Sequence, residues 1–318
     1  MELCFNELSL SEQCSEEQAV YKLNGLLDVV RKAYAISATK PTFRTECGFR
    51  NIEISKNYTV SKWMGNLQRE ARLFMLSMLD RSPYIDEKDA SVYEQYRLSY
   101  FVSKDVDEHE AKGLGAAWLL DGVAVSLAGI KEWNKLLVSI RQQKIDDSEN
   151  IDEVDIDVRN AVSVAHMEVH KSYYGGIDYC ERQLDSLGQL QKLGQKFFPA
   201  IVFGDTVYDW LEKNTLSSAA FQRIIHHLYR LNQFFSEQVA CGNCNLRILP
   251  RCSNESESTM NQFSNRRNFL FKGRNYNCEW HLKLNTDNIR IHFFPDFANG
   301  KAYVGYIGPH LPTRKYRK

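Results

Sequence analysis

Between residues 280 and 293 the chain reads WHLKLNTDNIRIHF, with apolar and polar residues alternating on both sides of NTDN. A period of two puts alternate side chains on opposite faces of a strand. A four-residue connection, Asn285 to Asn288, makes the two runs a hairpin. Folding the segment about that loop sets Leu284 against Ile289, Lys283 against Arg290, Leu282 against Ile291 and His281 against His292. Trp280, Leu282, Leu284, Ile289, Ile291 and Phe293 then share one face, which reads as core. The other face gathers His281, Lys283, Arg290 and His292.

A solvated polar face is the ordinary state of such a sheet, and it carries mixed signs. Here all four residues are cationic or titrate near neutrality, and Lys opposite Arg is unfavourable unless an anion relieves it. These strands supply no carboxylate to that face, so a phosphate is the anion expected there. Two imidazoles beside phosphate-binding cations can serve as general base and general acid without a metal ion or other cofactor. The whole stretch from about Phe269 to His310 is expected to form one antiparallel sheet.

Charge is divided unevenly along the chain. Residues 1–240 carry 27 Lys and Arg against 35 Asp and Glu, whereas residues 241–318 carry 13 against 5, so a segment of net charge +8 follows a body of −8. A compact basic segment points to a polyanionic partner. Attraction between the two parts is the simpler account, and the two are compatible. The five acids of the basic segment are Glu255, Glu257, Glu279, Asp287 and Asp296, none of which falls on the cationic face in this register. Magnesium-dependent nucleases hold their ions with carboxylates. Any cleavage here is therefore expected to be metal-independent and to leave a 2′,3′-cyclic phosphate.

At 318 residues, 43% hydrophobic and 12% aromatic, the chain has room for two or three globular domains. The start MELCFNELSLSEQC has no basic region ahead of an apolar one, so no secretion signal is read. Reduced thiols and a cytoplasmic location are then expected for the eight cysteines. The run 113–130 holds one charge, Asp121, and is read as a core helix turning into a core strand rather than a membrane span.

The expected class is α+β. Residues 1–175 form a mixed α/β domain, with a helix near 15–34 capped by Ser15, a helix near 61–79, a strand at NIEISKNYTV and a strand pair at 135–145 and 154–162. Residues 176–244 are helical, with Leu184, Leu187, Leu190 and Leu193 on one face and Phe221, Ile224, Ile225, Leu228, Leu231 and Phe235 inward on a later helix. Residues 253–318 form a basic β-rich domain. No internal repeat is present.

Two metal-like spacings occur elsewhere. His166 and His170 in HMEVH stand four apart, but no third ligand accompanies them and an ordinary surface pair is the preferred reading. Cys241 and Cys244 have a zinc-knuckle spacing, and Cys252 and Cys278 could complete four thiols. Their irregular separation favours unligated cysteines, and zinc stays open.

The order of elements in NIRIHFFPDFANGKAYVGYIGPHLPTRKYRK resembles the end of RelE/ParE/HigB-type bacterial toxins. Arg290 and His292 match that family's first strand, AYVGYIG its second, and His310, Arg314 and Tyr316 its tail. The wording GYIGPHLPT is also similar to proteins of bacterial defence neighbourhoods. The resemblance covers at most the last seventy residues. It departs from the family in the long preceding chain and in lacking an obvious helical hairpin between Cys252 and Phe269.

It implies a toxic effector, a metal-independent endoribonuclease acting in the cytoplasm, with an antitoxin or other protein partner. His292 and His310 would be base and acid, Arg290 and Lys283 would hold the phosphate, His281 would assist, and Tyr316 would stack on a base. Arg266, Arg267, Arg314 and Lys315 would add nucleic-acid contacts. A non-catalytic nucleic-acid-binding or adaptor subunit of a defence complex is the alternative.

Overall fold

A computed structural model describes residues 1–10, 14–85, 99–104, 109–145, 151–284 and 288–313. The class is α+β, and the chain divides into two compact units, Met1–Gly175 and Gly176–Lys318. Among the described residues no helix is long and apolar enough to cross a membrane.

In the first unit, β1 (Glu2–Phe5) leads to helix α1 (Glu16–Ile36) and β2 (Thr42–Arg44), which pairs parallel with β1. Ser15 caps α1 through a reciprocal box with Gln18, satisfying amide groups that a helix start leaves without partners. The stretch NIEISKNYTV is two short strands, β3 (Glu53–Ser55) and β4 (Tyr58–Thr59), not one. Asn57 turns the chain with φ 60°, a conformation Asn tolerates better than most residues. The helical run 61–79 likewise divides, into α2 (Val60–Asn66) and α3 (Arg69–Leu79).

Next come β5 (Ser99–Ser103), α4 (Lys112–Leu119) and β6 (Val123–Val125), the last two being the expected core helix and core strand. Asp121 between them is buried, its carboxylate accepting from Arg159 Nη1 at 2.9 Å and Tyr173 Oη at 2.7 Å. The expected strand pair is β7 (Leu137–Ile145) and β8 (Ile151–Ala161), whose acidic connection lies outside the described residues. The six strands order β2-β1-β6-β8-β7-β5, with the first four parallel. Val123, Ala124 and Val125 are all buried, as a strand enclosed on both faces requires.

Helix α5 (Val164–Gln183) spans the division between the units. The second unit then holds α6 (Leu187–Phe197), β9 (Ile201–Phe203), α7 (Asp209–Lys213) and α8 (Ser218–Gln233). The apolar face expected for α8 is buried in full. Leu184, just past α5, and Leu190 in α6 are buried, while Leu187 and Leu193 of α6 are only partly covered.

The unit continues with β10 (Cys252–Asn254), α9 (Glu257–Phe263), β11 (Asn268–Phe271), β12 (Arg274–Asn277), β13 (Trp280–Lys283), β14 (Ile289–Asp296) and β15 (Lys301–Pro309). The main sheet orders β10-β13-β14-β15-β9, and β9 joins β15 in parallel. Residues 176–244 and 253–318 therefore contribute strands to one sheet.

The expectation of a single antiparallel sheet from Phe269 onward is corrected. β11 and β12 form a separate hairpin, turned at Lys272 and Gly273, both with positive φ. The hairpin lies against the main sheet: Phe269 stacks on Tyr306 at 5.9 Å, and Tyr276 on Tyr303 at 4.5 Å.

Candidate functional site

The β13–β14 register is the one the alternation predicts. Lys283 faces Arg290, Leu282 faces Ile291, and His281 faces His292. The connection 285–287 lies outside the described residues. Leu282, Leu284, Ile289, Ile291 and Phe293 are buried at 1% exposure or less, so the core face is as read, with Trp280 half-buried beside it.

The opposite face is not a solvated one. His281 and His292 are 5% and 1% exposed, with ring centroids 5.1 Å apart. The chain from β10 to β11 crosses this face and brings in two groups that alternation within a single hairpin cannot reveal. Glu255 follows β10, and Arg267 ends the short 3-10 turn Ser264–Arg267 before β11. Arg267 is fully buried; its Nη2 donates to Glu255 Oε1 at 2.7 Å and to Pro312 O at 3.1 Å, and its Nη1 donates to Phe263 O at 3.3 Å. Glu255 Oε1 lies 3.8 Å from His281 Nδ1.

Two expectations change as a result. The cationic face does carry a carboxylate, Glu255, delivered by β10, which pairs with β13 antiparallel. Arg267 is not a nucleic-acid contact, because its charge is spent in a buried ion pair, whereas its neighbour Arg266 is exposed. An isolated charge at such depth would be costly, so Arg267 and Glu255 stabilise each other's burial. The sequence signal was an acidic residue one step past a short strand, legible only once that strand is paired.

Hydrogen bonds orient both imidazoles. His292 Nδ1 donates to Cys278 O at 3.3 Å, and His281 Nε2 meets Ser253 Oγ at 3.2 Å. Burial, and then the Arg267 charge, lower the His292 pKa to about 3 despite the Cys278 bond. Burial also holds His281 well below the usual imidazole range, helped by the nearby His292, Lys283, Arg290 and His310. Both rings are neutral at pH 7. His310 is half-buried just past β15, with Nδ1 donating to Leu311 O at 2.6 Å, and burial lowers its pKa. Lys283 and Arg290 are half-buried. Arg314, Lys315 and Tyr316 lie outside the described residues.

The other metal-like spacings are not assembled among the described residues. His170 is buried and its Nε2 donates to Asn160 O at 3.0 Å, a structural role within the first unit. Cys241 and Cys244 are exposed while Cys252 and Cys278 are buried, and the four thiols form no cluster of metal-ligand geometry. One cluster does have such geometry: Glu255, His281 and His292 each place a ligand atom within 4.8 Å of the other two.

The chain matches no protein-family model, no curated protein and no solved structure.

Proposed function

We propose that the Gly176–Lys318 unit binds RNA, with Lys283, Arg290 and His310 on the phosphate backbone. In this reading the chain is a nucleic-acid-binding subunit or effector of bacterial defence. The observation that carries it is the cross-strand pairing of Lys283 with Arg290, both half-buried, with His310 near Arg290. Two aligned cations with a third group near them suit an anion with several oxygens. The resemblance of the closing strands to toxin domains supports RNA as that anion.

A second reading, endoribonuclease, is favoured by one further observation. Ionisable groups with displaced pKa values gather beside the cations, as they do at catalytic sites. His292, held neutral, suits a base better than an acid, and His310 is half-buried whereas His281 and His292 are enclosed. The enclosure of His281 and His292 favours binding over cleavage.

The test is incubation of the full chain with total RNA and with single-stranded DNA in EDTA. Retention of RNA without cleavage, weakened by Lys283→Gln, is the expected outcome. Cleavage in EDTA that leaves 2′,3′-cyclic ends and spares DNA would move the conclusion to the ribonuclease. No retention of RNA at low salt would remove both readings.

A further inference from the structure

We propose that Glu255, His281 and His292 form a binding site for one divalent transition-metal ion of the zinc class. The proposal does not rest on RNA binding, since it concerns the enclosed His281–His292 pair beside Lys283 and Arg290 on the same sheet face.

Three observations converge on it. The ligand atoms of the three residues lie within 4.8 Å of one another. His281 is 5% exposed, and its Nδ1 is buried with no hydrogen-bond partner. Its nearest acidic oxygen, Glu255 Oε1 at 3.8 Å, is beyond hydrogen-bond reach. With a proton on Nδ1, a buried donor would lack an acceptor; without one, a lone pair would face a carboxylate oxygen. An ion between the two resolves either case.

The third observation is the orientation of the rings. His292 donates from Nδ1 to Cys278 O, which leaves the Nε2 lone pair for a ligand. His281 turns Nε2 to Ser253 Oγ, which leaves Nδ1. Metal-bound imidazoles are commonly fixed in this way, by a hydrogen bond from the nitrogen that does not bind the ion.

Two imidazoles and one carboxylate suit zinc, cobalt, nickel or ferrous ions; magnesium and calcium prefer oxygen ligands alone. Tetrahedral zinc with bonds of about 2.0–2.1 Å sets its ligands about 3.4 Å apart. The three side chains must therefore close by roughly an ångström, a side-chain rotation. Arg267 opposes the ion by holding Glu255 Oε1. It also bonds to the carbonyls of Phe263 and Pro312, so it keeps acceptors when the carboxylate turns toward a metal. Three protein ligands leave a fourth position open. With Arg267, Lys283, Arg290 and His310 around it, that position favours an anion, whether hydroxide or a phosphate oxygen.

The experiment uses the full chain carrying Cys47→Ser, Cys241→Ser and Cys244→Ser, which removes the exposed thiols among the described residues. The protein is stripped with chelator, and Co²⁺ is added in phosphate-free buffer. The expected result is one equivalent bound, with the visible absorption of a four-coordinate nitrogen–oxygen site, displaced by Zn²⁺. Glu255→Gln and His281→Gln, checked for native circular dichroism, should each lower the affinity at least tenfold. Because buried-site variants can misfold, X-ray absorption on the Co²⁺-loaded chain with its histidines intact gives a second measure, expected to show two imidazoles and no sulfur. Binding of less than one equivalent, sulfur in the ligand shell, or undiminished affinity in a folded His281→Gln chain would overturn the proposal.

Discussion

Glu7, just after β1, accepts the Gly113 N–H at 2.8 Å through Oε2, while Oε1 is buried without a hydrogen-bond partner. Desolvation raises its pKa from 4.5 to about 7. Between those values the folded chain keeps a proton that the unfolded chain has released, so folded-state stability falls as pH rises through this window. Glu7→Gln keeps an oxygen for Gly113 and removes the ionisation. It should flatten the slope and leave the variant more stable above pH 7, by at most on the order of 3 kcal/mol. Thermal midpoints of both chains between pH 4 and 8 check this; parallel pH profiles would show that Glu7 does not govern the slope. Asp121 is the contrasting case, a buried carboxylate paired with Arg159, whose guanidinium lies 3.6 Å from the Tyr173 ring centre.

Among the elements, the β11–β12 hairpin decides what the sheet face can do. It covers the aromatic half of the face that carries His292, and the approach depends on Gly305. A Cβ at Gly305 would sit 2.6 Å from the Phe269 ring, closer than carbon atoms pack. The β14–β15 register also shifts here: His292 pairs with Tyr306 and Phe293 with Val304, which leaves Gly305 as the extra residue of a bulge. Gly305→Ala should push the hairpin off Tyr306 and cost about 1–3 kcal/mol in chemical denaturation. Adding Phe269→Leu should recover part of that loss, since the two substitutions share one contact. Equal, additive losses would place the strain elsewhere.

At the scale of the whole chain, the +8 of residues 241–318 against the −8 of residues 1–240 makes polyanion binding a measurable electrostatic quantity. For single-stranded RNA, each neutralised phosphate contributes about −0.7 to the log–log salt slope, so a site engaging several phosphates should give roughly −3 or steeper. Lys283→Gln with Arg290→Gln should make the slope shallower by about 1.4 and weaken all RNA sequences alike. A slope near zero in the full chain would leave the basic segment without a polyanionic role.

The sequence by itself determined the α+β class, the helix cap at Ser15, the helix-to-strand turn at Asp121, the hairpin register of β13 and β14 and the core face between them. Those features rest on periodicity and on neighbours close in the chain, where side-chain direction follows from backbone geometry. Tertiary structure alone decided the state of the second face. Alternation showed that His281, Lys283, Arg290 and His292 share a side, but not that Glu255, Arg267 and the β11–β12 hairpin would cover part of it. Glu255 reaches His281 only because β10 pairs with β13 across 25 intervening residues that carry no local signal of that pairing. Burial then set the chemistry: the same imidazoles that would titrate near neutrality on an open face are held neutral on this covered one.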